Sequence, residues 1–204
     1  SDLTLRHELE VMDFKAALMP AINRQPEFHV LELSTWPRLH QFRARRPADG
    51  GRRELVLVKP DAFLRVEETS GGETFEHTFF VEIDRSTESQ GTLAARVDAY
   101  RDYYLSGGFA KRNGASPEAY RDYPFRVLLV FKSEERRGNL ARRLLQLDPP
   151  LLRQAWLGVF TEVLADPIGP TWRQPADYRD GRKVQKRRLF DEGSSELATQ
   201  QLID

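Results

Sequence analysis

The 204-residue sequence contains no cysteine. Disulfide staples and thiolate zinc sites are therefore excluded, and an apolar core must hold the fold. Neither sign of charge is in surplus: Lys and Arg number 31, Asp and Glu number 31, and the formal net charge is zero. A uniform basic field is thus absent, so contact with nucleic acid has to come from a local basic patch. No apolar run is long enough to span a bilayer, and membrane insertion is not expected. There is no internal repeat and no low-complexity segment. What is present is 40% hydrophobic and 30% charged, over a length that buries a full core. The expectation is a soluble, cytoplasmic protein with one α/β domain at 1–178, followed at 179–204 by a basic and then polar tail that frays.

The chain is organised around the stretch from Lys59 to Asp84. Two strand-like runs flank Gly71-Gly72, the pattern of a β-hairpin. With these glycines at the centre of the turn, Ala62 pairs with Val81 and Leu64 with Phe79. The same register sets Asp61 against Glu82 and Lys59 against Asp84. Directly opposed residues share a face. Ala62, Leu64, Phe79, Val81 and Ile83 fall on one face and are expected to pack. Lys59, Asp61, Glu82 and Asp84 fall on the other. Carboxylates so close repel, and something positive must compensate. Two explanations fit: a divalent cation with hard oxygen ligands, Mg²⁺ or Mn²⁺, or an ion-pair face completed by Lys59 and Arg85.

Around this hairpin the periodicity predicts a helix from Leu3 to Met19, stopped by Pro20. It carries one apolar stripe of Leu5, Leu9, Met12, Ala16 and Met19 and another of Val11, Phe14 and Leu18, so both sides are expected to be covered. His7 and Glu8 lie at the rim of the first stripe, where Glu8 either aims a carboxylate at a neighbouring site or is merely solvated. A strand is expected at Phe28–Leu33, and an irregular or edge-paired region from Trp36 to Gly51. Here lies the arginine cluster Arg43, Arg45, Arg46, Arg52 and Arg53, which either grips phosphates or forms a mixed-charge exposed loop. Glu54–Val58 reads as a strand leading into Lys59, with an edge or bend at Pro60. A helix from Thr92 stops near Ser106-Gly107-Gly108 and places Arg96 and Tyr100 on one face. Then follow a strand at Phe125–Phe131, a helix at Glu134–Leu147 with Arg136, Arg137, Arg142 and Arg143 as a basic surface, and a strand-like run at Trp156–Leu164. The tail cations are Arg182, Lys183, Lys186, Arg187 and Arg188. This order predicts an α/β sandwich on a central mixed sheet flanked by helices, with the first three strands in a meander.

A helix with an acidic residue, then Pro60-Asp61, then Glu82-x-Asp84, then a helix resembles the PD-(D/E)xK nuclease fold. The resemblance implies that Asp61 is the motif aspartate, Glu82 the second acid and Glu8 the acid of the first helix. Asp84 stands where that fold usually has lysine, and Lys59 is the residue available to supply the missing cation. Arg96 and Tyr100 resemble the Gln-x-x-x-Tyr motif of RecB-type members, with arginine in place of glutamine. A closer resemblance, to the replication-relaxation family, rests on five segments. They are Leu-Arg-His-Glu-Leu-Glu-Val at 5–11, Lys-Pro-Asp-Ala at 59–62, Phe-Val-Glu-Ile-Asp-Arg-Ser-Thr-Glu at 80–88, the tyrosine-bearing helix, and Gly-Pro-Thr-Trp at 169–172. That family occurs on bacterial plasmids and mobile elements, and its members commonly carry a winged-helix region ahead of the part that resembles this sequence.

By these resemblances the chain is expected to be a metal-dependent DNA endonuclease or nickase. Asp61, Glu82 and Asp84 would hold Mg²⁺ or Mn²⁺, with Glu8 and Lys59 assisting and Arg85, Arg96 and Tyr100 at the phosphate. The expected partners are DNA and plasmid replication or transfer proteins. The alternative is a catalytically degenerate DNA-binding or interaction module, for which Asp84 and the neutral net charge argue. Tyrosine-based nicking with a histidine-bound metal is disfavoured: of His7, His29, His40 and His77, no two have ligand spacing on one element. Tyr100, Tyr103 and Tyr104 remain as an alternative of that kind.

Overall fold

Gly71 and Gly72 form the predicted turn, with φ of 60° and 86°. Such a turn needs positive φ at both central positions, which glycine adopts without steric cost. The hairpin register is the expected one: Ser70 pairs with Glu73, Leu64 with Phe79 and Ala62 with Val81. The structure is a computed structural model describing residues 2–35, 37–38, 40–48, 51–179 and 184–190. Trp36, the tail cations Arg182 and Lys183 and the predicted frayed end at 191–204 lie outside the described residues.

In chain order the elements are α1 (Asp2–Asn23), β1 (Phe28–Thr35), β2 (Phe42–Pro47), β3 (Arg53–Val58), β4 (Ala62–Ser70), β5 (Glu73–Ile83), α2 (Gln90–Leu105), α3 (Gly108–Arg112), β6 (Arg126–Phe131), α4 (Glu134–Leu145), β7 (Ala155–Val159) and α5 (Phe160–Ala165). The central sheet has the order β1-β4-β5-β6-β7. Its first three strands are antiparallel, and β5, β6 and β7 run parallel. The mixed sheet flanked by helices is thus as expected. One face packs Ala62, Leu64, Phe79, Val81 and Ile83 against Val11, Phe14 and Leu18 of α1 and Val163 of α5. The other packs Phe63, Phe80, Val127 and Leu129 against Leu93, Val97 and Tyr100 of α2 and Leu140 and Leu144 of α4.

Four expectations need correction. The first three strands do not form one meander: β2 and β3 leave the central sheet and, among the described residues, pair only with each other. Alternation drives this. Phe42, Ala44 and Val58 are buried, while Arg43, Arg45, Leu55 and Leu57 point outward. The chain re-enters the main sheet only after the bend at Pro60. The first helix does not stop at Pro20 but runs through it to Asn23. Burying Ala21 and Ile22 offsets the roughly 3 kcal/mol that an interior proline costs. Nor are both stripes of α1 covered: Leu5, Leu9 and Met12 are exposed, because the sheet meets only the side that carries Val11, Phe14 and Leu18. Finally, the apolar run after Trp156 is not one strand. Five residues complete β7, and Phe160, Val163 and Leu164 then recur at helical spacing in α5.

Candidate functional site

Asp61, Glu82 and Asp84 gather at the end of the sheet where β5 and β6 both finish. Asp61 lies one residue before β4 and continues the pairing, its N–H donating to the Val81 carbonyl at 2.9 Å. Its Oδ2 accepts from the N–H of Ile83 at 2.7 Å, and its Oδ1 lies 2.7 Å from Nε2 of His7 on α1. Asp61 is therefore a clamp between the end of β5 and the first helix. The helix residue that reaches it is His7; Glu8, one position on, is turned away by the roughly 100° step of a helix and is half-buried.

Glu82 alternates with Val81 and Ile83, so it faces α2 and is 4% exposed. The Tyr100 hydroxyl donates to its Oε1 at 2.5 Å, and the Arg96 guanidinium donates to its Oε2 at 3.2 Å. Helical spacing puts both donors on one side of α2. Burial, with Asp61 adding repulsion, pushes the Glu82 carboxyl up to about 8, against the pull of Arg96 and Tyr100. Near neutral pH this group is thus largely a carboxylic acid, and Arg96 finds its second partner in Glu88 at 2.5 Å. Burial and Glu82 in turn hold the Tyr100 phenol well above its ordinary value.

Asp84 is held by Arg136 of α4, whose Nε and a terminal nitrogen bind its two oxygens, the latter at 2.9 Å. The same guanidinium donates to the Glu88 carbonyl at 2.6 Å. Asp84 Oδ1 also accepts from the N–H of Ser86 at 3.1 Å, supporting a serine with φ of 61° in the left-handed region. The cation beside Asp84 is therefore Arg136 and not Lys59, which is exposed. Arg85 is exposed as well. Half of the predicted basic surface of α4 turns inward: Arg136 binds Asp84, and Arg137 is buried against Glu162 and Tyr178.

Both oxygens of Asp61, Glu82 and Asp84 thus have a protein partner within hydrogen-bond distance. Among the described residues no group of three or more His, Asp or Glu side chains is arranged to hold a metal ion. As a donor set for Mg²⁺ or Mn²⁺ the three acids do not fit in this arrangement, because each oxygen is already committed. Arg136 was missed because its contact lies far along the chain. The signal was the parallel pairing of β5 with β6, which brings the start of α4 to the end of β5.

A second feature stands over α2. The β2–β3 ribbon is anchored by Arg53, which meets Asp98 at 2.8 Å and Asp102 at 3.5 Å, and by the Arg45 N–H, which donates to Asp102 at 2.8 Å. Its outer face sets Arg43 beside Leu57 and Arg45 beside Leu55, all exposed. Arg46 is paired with Glu54 at 2.8 Å.

The model of the replication-relaxation family matches residues 1–119, more than half of the sequence. The chain belongs to the replication-relaxation family. The matched span holds the ribbon, His7, Asp61, Glu82, Asp84, Arg96 and Tyr100, and ends before β6 and Arg136. Membership associates the chain with replication or relaxation. No curated protein and no solved structure matches it. Among the described residues no helix is long and apolar enough to cross a membrane.

Proposed function

We propose that this member of the replication-relaxation family is a DNA-binding module of a replication complex, in which the PD-(D/E)xK-like acidic centre is structural. The observation that carries the reading is the full engagement of the three acids by His7, Arg96, Tyr100, Arg136 and two backbone N–H groups. A centre so engaged ties α1, α2 and α4 to the end of the sheet. The contact surface is the outer face of the β2–β3 ribbon. Arg43 and Arg45 project from it without an ion-pair partner among the described residues, and a two-stranded ribbon is an element that the DNA major groove admits. Phosphate neutralisation by a local patch also suits a chain of zero net charge. The test is a gel shift of duplex DNA in chelator at several salt concentrations. Metal-independent binding that weakens steeply with salt is the expected result; binding that appears only with Mn²⁺ overturns the reading.

A second reading, a Mg²⁺- or Mn²⁺-dependent endonuclease or nickase, draws support from one observation: Asp61 and Glu82 sit close enough for Asp61 to raise the Glu82 carboxyl. In this reading Asp61, Glu82 and Asp84 are the ligands, Glu8 and Lys59 assist, and Arg85, Arg96 and Tyr100 meet phosphate. It requires His7, Arg96 and Arg136 to release the acids. Thermal unfolding with millimolar Mn²⁺ separates the two. A rise in midpoint that Asp61→Ala abolishes favours the nuclease, and an unchanged midpoint favours the binding module.

A further inference from the structure

Between α4 and the segment after β7 lies an open cleft lined by Arg137, Gly138, Arg142, Arg173, Tyr178 and Lys186. It lies entirely beyond the span that the family shares. Gly138 leaves its wall bare: the atoms nearest to a Cβ there belong to Arg142 and Tyr178, at 3.5 Å. Arg173 is the unusual member. It is 4% exposed, and one terminal nitrogen of its guanidinium donates to the carbonyl of Trp172, at 2.9 Å. A guanidinium carries five N–H donors, so this fork has donors to offer beyond that carbonyl.

Like charge crowds the same wall. Burial and then the adjacent Arg137 hold the Arg173 guanidinium below its ordinary value. Arg137 is itself buried, and its acidic partner Glu162, at 3.2 Å, is already shared. Arg142 and Lys186 add exposed cations at the rim, opposed by Glu134, which is mostly in solvent. Asp177, the next acid, is taken by Arg187 at 2.8 Å. The cleft is therefore electropositive, with planar donor forks at its wall. That is the chemistry that receives a tetrahedral oxyanion, and a phosphate group above all.

We propose that this cleft is a phosphate-binding site, with Arg173 as the buried ligand and Arg142 and Lys186 as rim cations. The inference stands whether or not the ribbon binds DNA. The phosphate is either free or the terminal phosphate of a nucleic acid, and both offer the same oxyanion.

The experiment is thermal unfolding of the whole chain in inorganic phosphate against chloride at equal ionic strength. A saturable rise, roughly 5 °C at about a hundredfold excess over Kd, is expected. The surface double variant Arg142→Ala/Lys186→Ala should retain the fold and lose at least half of that rise. Arg173→Met, which keeps the apolar stem and removes the donor fork, should lose it altogether while still unfolding cooperatively in chloride. A 5′-phosphorylated oligonucleotide compared with its unphosphorylated twin identifies the source. A response to the former at far lower concentration than to inorganic phosphate assigns a nucleic-acid end, and equal responses assign a free phosphate. No rise beyond the chloride control, or a rise undiminished in the double variant, overturns the proposal.

Discussion

Arg136 on α4 grips both oxygens of Asp84 at the end of β5, so an acid and a cation from separate elements lock α4 onto the sheet. Asp84 is 5% exposed and cannot turn to water when its partner is removed. Arg136→Met should therefore destabilise the protein by about 2–3 kcal/mol, through the uncompensated buried carboxylate. The double variant Asp84→Asn/Arg136→Met should recover much of that loss. Urea unfolding of Arg136→Met, Asp84→Asn and the double variant checks the coupling; losses that simply add would mean that the pair does not interact.

Glu82 makes stability depend on pH in a definite direction. Its carboxyl stands at about 8 in the folded protein, above the 4.5 of an unperturbed glutamic acid. The folded state holds the proton more tightly, so its contribution is full below pH 4.5 and is lost as pH rises through 8. His40, stacked on Phe63, acts in the opposite sense. Burial and Arg112 lower it to about 4, so its contribution is complete above 6.5 and is lost as pH falls through 4. Between pH 6.5 and 8 the Glu82 effect is free of the His40 effect. Over that window the unaltered protein should lose stability relative to Glu82→Gln, in chemical unfolding measured at closely spaced pH values. A constant difference between the two proteins would contradict the raised carboxyl.

The ribbon makes a salt-dependent prediction. If Arg43 and Arg45 each neutralise one phosphate, Arg43→Ala/Arg45→Ala should lower the slope of log K against log salt by about 2 and weaken DNA binding at low salt roughly tenfold or more. Both side chains are exposed, and the anchoring contacts of Arg53 are untouched, so the midpoint of thermal unfolding should hardly move. An unchanged slope would place the DNA contact elsewhere on the chain.

Gly107 ends α2, the helix that carries Arg96 and Tyr100. It has φ of +70°, and a Cβ there would lie 2.2 Å from the Pro117 carbonyl oxygen. Both the left-handed backbone and the backbone clash oppose a side chain. Gly107→Ala should cost more than about 2 kcal/mol in urea unfolding. Gly114→Ala, with open space around its Cβ but the same sign of φ, should cost only about 1 kcal/mol.

Much of the fold was legible because it is written in short-range pattern. Gly71-Gly72 set the hairpin, the two-residue period put Leu64 and Phe79 on one face, and Ser106-Gly107 marked the end of α2. The ribbon was harder to see. In β2 the alternation of Phe42 and Ala44 with arginines reads as a charged loop until β3 supplies Val56 and Val58 opposite. At the site, the register placed Asp61 next to Glu82, but it could not show that His7 rather than Glu8 reaches Asp61, since that depends on how α1 rolls on the sheet.

The sequence by itself determined most of the strands and helices, how the hairpin alternates into the core, and that three acids converge at one sheet end, because these follow from periods of two and 3.6 residues and from a glycine turn. Only the tertiary structure decided which cation meets each acid, that Glu82 is buried deeply enough to hold its proton, and that Arg173 stands buried in a cleft beside other cations. Those outcomes depend on desolvation and on contacts between elements far apart in the chain, and no local period encodes either.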